Sequence, residues 1–328
     1  MADVTIGQLG KLQGNADLLE GFMKVFAGEV ITAFERSTNT VNRHMVRTIE
    51  NGKSASFPIM GRTNAHYLKP GKNLDDLREN IVHNELVIQI DGLLTADCLI
   101  SDIEEAMLHY DVRGEYSKQL GESLALAADG AVLAEIAKLV VADTENITGL
   151  GKGAIIDREI AAASIGITEA TGMAIVEILL EVGAKMTKNR VPKTERYCYL
   201  DPDYYMAVVR SLVAINRDYG GLGNIADGNV LRVAGFELIE VPHLTIGGAT
   251  ATDAFNTTGH IFPAAYDDVK PLIICHRTAV GTVKLRDLAL EQARRPEYQA
   301  DQMIAKYAMG HGGLRPESAF IGTISASV

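Results

Sequence analysis

The sequence is first limited by what it lacks. No apolar run approaches the roughly 20 residues that a membrane-crossing helix needs, and the opening residues MADVTIGQLGKLQGN carry no signal-peptide pattern. Cysteine is scarce. Cys98, Cys198 and Cys275 stand far apart in apolar settings and read as reduced core residues, which excludes a disulfide framework. The expectation is a protein made in the cytoplasm, with no membrane partner. Positive charge is also short: 31 Lys and Arg against 42 Asp and Glu leave a net charge of -11. That argues against a basic surface built to grip nucleic acid. It leaves room for a container whose acidic lining lets a phosphate polymer slide past.

Catalytic signatures are missing as well. There is no H-E-x-x-H or C-x-x-C, and no two of the eight histidines sit four apart. Asn51-Gly52-Lys53-Ser54 imitates the end of a phosphate-binding loop, but Arg47 stands where that motif needs glycine, and Phe57-Pro58 follows in place of a helix. Gly149-Leu150-Gly151-Lys152-Gly153 has the glycines of a nucleotide fingerprint without a βαβ context, so it reads as linker. Gly310-His311-Gly312-Gly313 lacks the nucleophile elbow that would make it an oxyanion hole and reads as a tight backbone turn. No catalytic, cofactor-binding or metal-ligating residue is assigned. A serine hydrolase with an unaligned triad is the enzyme alternative, and stoichiometric labelling of one serine by a covalent probe would revive it.

What is present is organised around Asp111–Val141, some 30 residues without proline. Asp111 is a candidate N-cap and Glu115 suits the first turn. Tyr116, Leu120, Leu124, Ala127 and Ala131 follow the helical period, and small residues such as Gly121, Ala125 and Ala128 let other backbone approach. A helix apolar nearly all round is a spine with neighbours on several sides. Ahead of it, residues 45–60 and 81–91 both look extended, with Leu86, Ile88 and Ile90 alternating to one face. They form a two-stranded ribbon with legs of about 35 Å, joined through GRTNAHYLKPGKNLDDLREN. Such a ribbon is marginal alone, so either the chain's own body or another copy supports it. Ser101–His109 is a short helix with a capping box, and Phe22–Phe34 holds another. Residues 142–167 change texture and mark a domain boundary. Helices follow at Thr168–Thr187 and from Asp201-Pro202 to Ser211, with strands at Arg196–Leu200, about Gly235, and over 270–276, 281–290 and 299–309.

Several stretches are similar to one known family. HMVRTIENGKSASFPIMGRT, IDGLLTADCLISDIEEAM, HYDVRGEYSKQLGESLALAADGAVLAEIAKL, AVGTVKLRDLALEQARR and QADQMIAKYAMGHGGLRPE closely resemble the major capsid proteins of teseptimavirus-like phages, the short-tailed autographivirus group. The resemblance runs from about Phe22 to Glu317 and departs in the N-terminal arm, around 142–175 and in the loop 244–270. It implies the α+β Hong Kong 97 capsid fold: an N-terminal arm over 1–44, an extended loop (E-loop) over 45–92, a peripheral domain over 93–167 with the spine helix, an axial domain over 168–275, and return strands over 276–328. It also implies hexamers and pentamers tiling an icosahedral shell around packaged double-stranded DNA, a scaffolding protein during assembly, a portal complex, and a place in the virion capsid. A nanocompartment (encapsulin) shell of the same fold is the alternative. The expected inter-subunit residues are Phe57, Arg62, Tyr67, Lys69, Lys72, Asp75, Asp76 and Arg78 in the loop, with Arg286, Glu291, Arg294 and Arg295 in a later string of mixed charge.

Overall fold

The computed structural model describes residues 38–71, 73–78, 80–103, 112–211, 232–242, 244, 260–266 and 270–327. The arm over 1–37, the Phe22–Phe34 helix, the spine's cap Asp111, most of the Ser101–His109 helix and most of the 244–260 loop lie outside the described residues. The chain divides into two compact units, one of residues 1–38, 92–128 and 286–309, the other of 39–91, 129–285 and 310–328. The division falls inside the spine helix, α1 (Val112–Val141).

Ser117, Leu120, Gly121, Leu124 and Ala128 form one inward stripe at helical spacing. Tyr116, expected on the apolar face, is 38% exposed. Ser117 takes the inward place, its hydroxyl donating to the Gly114 carbonyl at 2.7 Å. From Leu124 to Val140 every position is buried or half-buried, as expected of a helix covered on several sides.

The larger unit holds a six-stranded mixed sheet. Its order is β5 (Ala154–Ala161), β12 (Ala319–Ser327), β9 (Leu272–His276), β6 (Arg196–Leu200), β8 (Phe236–Glu240), β7 (Arg232–Val233). On one face lie α2 (Glu169–Lys188) and α3 (Pro202–Arg210). On the other lies the second half of α1. A strand covered on both faces has no polar side, so β6 (RYCYL) and β9 (LIICH) are buried at all five positions. Alternate residues divide between the two cores. Cys198, Leu200, Leu272 and Ile274 pack with Ile175, Ile178 and Leu179 of α2, while Tyr197, Tyr199, Ile273 and Cys275 pack with Leu133, Ile136 and Val140 of α1. Both helices start as their caps foretell: the Thr168 side chain accepts from the Thr171 amide, and Asp201 from the Asp203 amide ahead of Pro202. Truncating the fully buried Ile178 to alanine is expected to cost about 3 kcal/mol in urea unfolding without changing the pattern of the circular dichroism spectrum.

Residues 142–167 contain β5, which runs parallel to β12 from Ala154 opposite Phe320 to Ala161 opposite Ser327. Within residues 276–328, β12 joins the sheet that holds Arg196–Leu200. Its alternating inward residues Phe320 and Ile324 complete the core beside α2.

The smaller unit is built on a long hairpin. β10 (Val280–Arg295) and β11 (Ala300–Gly313) run further than the sequence indicates; β10 begins and β11 ends within the larger unit's residues. β4 (Leu94–Ser101), unanticipated, pairs antiparallel with β11 from Ser101 opposite Ala300 to Leu94 opposite Tyr307. Cys98 on that strand is half-buried, unlike the fully buried Cys198 and Cys275. Burial pushes the Cys275 thiol up to about 12 and that of Cys198 higher still, so both stay protonated and inert.

Candidate assembly interface

The ribbon consists of β2 (Ser54–Met60) and β3 (His83–Gln89), antiparallel from Ser54 opposite Gln89 to Met60 opposite His83. Each leg is about 23 Å, shorter than expected. β1 (Met45–Thr48) leaves the ribbon and lies parallel to the start of β10, Met45 opposite Gly281 and Thr48 opposite Lys284. The turn is made at Gly52, with φ of +122°, a conformation open to glycine and costly for other residues.

Period-two alternation decides which ribbon residues are available. Ala55 and Phe57 face inward with Ile88 and pack on Val283 and Leu314, and Ile59 packs on Ile147 and Leu150. The chain's own body therefore supports the ribbon's base. Phe57, at 8% exposure, is buried in the core of the single copy. Pairing continues to the Gly61 amide, which donates to the Val82 carbonyl at 2.8 Å.

Past that rung the chain stands open. Tyr67 is 101% exposed, Leu74 60% and Leu68 50%. Asn73 caps a short 3-10 turn over Leu74–Leu77, and Arg78 pairs with Asp75 at 2.9 Å. Lys69 is exposed. Arg62 donates to the Asn189 carbonyl at the end of α2, a contact within the chain. Lys72 and the side chain of Asp76 lie outside the described residues.

The second predicted group behaves differently. Across the β10–β11 hairpin Arg294 forks onto Asp102 and Asp301, Arg295 donates to Gln302 at 2.8 Å, and Lys306 pairs with Glu291. The two aspartates hold the Arg294 guanidinium well above its ordinary value. Within the single chain, Arg294 and Glu291 thus meet residues of opposite sign on the neighbouring strand, and Arg295 is hydrogen-bonded there. Arg286 is exposed.

A buried polar network went unread in the sequence. Asp129, fully buried in α1, accepts the Asn39 amide at 2.5 Å, the Thr40 amide at 3.2 Å and the Thr40 hydroxyl at 2.6 Å. Thr282 Oγ1 bridges His44 Nε2 at 2.8 Å and His311 Nδ1 at 2.9 Å. His260 lies between Asp91 and Glu135, 2.7 and 2.8 Å away. The one local signal was acidic residues, Asp129 and Glu135, on the apolar stretch of the spine.

Comparison with known proteins places this architecture. A family model described as "Gp10A-like: Major capsid protein" matches residues 56–322. The major capsid protein of Escherichia phage T7 is 54% identical over 338 aligned residues, 97% of this chain and 98% of the relative. The chain belongs to the Gp10A-like family of major capsid proteins. Among solved structures, the capsid of cyanophage P-SCSP1u is 36% identical over 99% of this chain and all of its own, with a TM-score of 0.74. The mature capsid of bacteriophage PhiM1, 18% identical over 88% of this chain and 87% of its own, has a TM-score of 0.71 and supports the fold alone. The fold is therefore that of the Hong Kong 97-like phage capsids. This is a major capsid protein of a phage: a structural component of the virion that assembles with copies of itself into a shell. Within one copy the ribbon's base is packed on the body, and Tyr67, Leu68 and Leu74 at its tip are exposed.

Proposed function

We infer that the capsid subunit forms hexamers and pentamers of an icosahedral shell, and that the exposed tip over 62–81 docks on the adjoining copy. The observation that carries this is the contrast along one ribbon: Phe57 and Ile59 are buried at its base, while Tyr67, Leu68 and Leu74 are bare at its tip. A repeated head-to-tail contact of this kind closes a ring of like subunits. The role is structural and non-catalytic. The net charge of -11 suits a container whose double-stranded DNA is enclosed without sequence-specific contact and must enter and leave. Assembly in the host cytoplasm on a scaffolding protein, with a portal complex at one vertex, completes the reading. Purified particles treated with nuclease are expected to retain protected double-stranded DNA, and electron micrographs to show angular shells of one size. Particles that enclose a cargo enzyme and no DNA would favour the nanocompartment alternative.

A further inference from the structure

The chain passes between its two units at residues 38/39, 91/92, 128/129, 285/286 and 309/310. The buried network of the larger unit is drawn from residues beside those crossings, Asp91, Asp129, Thr282 and His311. At its centre is His260, whose side chain is 7% exposed. Its Nε2 faces a carboxylate oxygen of Asp91 and its Nδ1 one of Glu135. A neutral imidazole has a single N–H and would turn a lone pair toward one of the two carboxylates. The geometry therefore calls for both nitrogens to be protonated.

The surrounding elements favour that state. From α1 come Glu135, Asp129 and Lys138, the lysine bonded to Glu135 at 2.9 Å. The end of the ribbon supplies Asp91. β11 supplies His311, edge-on to His260 with ring centroids 5.6 Å apart. His44 precedes β1, and Lys284 of β10 and Arg277 act on it. Burial holds His311 and His44 below their ordinary range, so both are neutral beside His260. Burial also draws His260 downward, but its two carboxylate partners outweigh this and push it up to about 9.

We propose that His260 is a proton-operated clasp: doubly protonated, it ties Asp91, at the ribbon's exit, to Glu135 on the spine helix, and loss of one proton opens the tie. The clasp belongs to the single subunit and stands whether or not the tip docks as inferred above. Its sign follows from the raised value. The stabilisation is complete below pH 6.5, the ordinary histidine value, and is lost as pH rises through about 9. Glu135 is held below its ordinary 4.5 by His260 and Lys138 against the effect of burial, so its own contribution is present above 4.5 and lost as pH falls below it.

Scanning calorimetry of assembled particles between pH 6.5 and 9.5 tests the clasp. The unfolding temperature of the native chain is expected to fall by on the order of 5 °C more than that of His260→Gln over this window. His260→Gln starts lower and stays flatter, and Glu135→Gln moves the midpoint of the fall to lower pH. Parallel curves for the native chain and His260→Gln would overturn the proposal. Should the variants fail to fold, solid-state NMR of native particles labelled at histidine decides it. A His260 titration near pH 9 supports the clasp, and one at or below pH 6.5 sinks it.

Discussion

A chain in which residues 62–81 are replaced by an Asn-Gly turn is expected to fold and stay soluble but to make no shells. The excision falls just past the last ribbon rung, where the Gly61 amide meets the Val82 carbonyl, and a two-residue Asn-Gly turn matches the twist of such a hairpin. Little of the subunit's own packing is lost, since among the described residues removed only Leu77 is partly buried. The Arg62 bond to Asn189 is exposed and contributes about 1 kcal/mol at most. The cost to assembly is of another size. Burying an apolar side chain on a neighbour contributes about 1.5–3 kcal/mol. Tyr67, Leu68 and Leu74 together therefore represent several kcal/mol for each copy, repeated around the shell. Urea unfolding should show subunit stability within about 1 kcal/mol of the native chain, while sedimentation and electron microscopy should show no particles. Normal particles from this variant would refute the assigned role of the tip.

Gly310→Ala should have the opposite profile, damaging the subunit itself. Gly310 lies in β11 where the end of the ribbon crosses it. A Cβ there would stand 2.0 Å from the Gln89 carbonyl oxygen, 2.8 Å from its carbon and 2.9 Å from the Ile90 Cα. All three are backbone atoms, so no side-chain rotation relieves the overlap. Either β11 or the strand end leading to Asp91 must move, and moving the latter also pulls on the His260 clasp. Overpacking of this kind costs about 3 kcal/mol or more. The expected result is aggregation or a denaturation midpoint well below that of the native chain, read by circular dichroism in urea. Stability equal to the native chain's would mean that this crossing is looser than the structure has it. The sequence reading of Gly310-His311-Gly312-Gly313 as a tight turn is corrected by the same contact. These residues are strand, and the glycines are there because other backbone and the side chains of Ile88 and Leu139 occupy the space a Cβ would need.

What was legible follows the range of the signal. Helix α3 announces itself through its cap and proline, Asp201-Pro202, and α2 through the amphipathic pattern of Thr168–Thr187. The spine announces itself through some 30 residues without proline. The alternation of Leu86, Ile88 and Ile90 marked the ribbon's inner face, and Ile88 is indeed buried at 4%. The misses share a cause. β5 is not read as a strand, because nothing near it in the chain shows that β12, more than 150 residues later, will pair with it. β1 was assigned to the ribbon because it is extended, while its partner, the start of β10, is equally remote.

The amino-acid sequence by itself determined the family, the spine helix, the two-stranded ribbon and the absence of a recognisable catalytic set, because these rest on long contiguous motifs and local periodicity. Only the tertiary structure decided that Phe57 belongs to the core and Tyr67 to the surface, that Glu291, Arg294 and Arg295 find partners within the chain, and that His260 sits between two carboxylates. Burial and ionisation are set by atoms brought together from distant parts of the chain, and no stretch read in isolation contains that information.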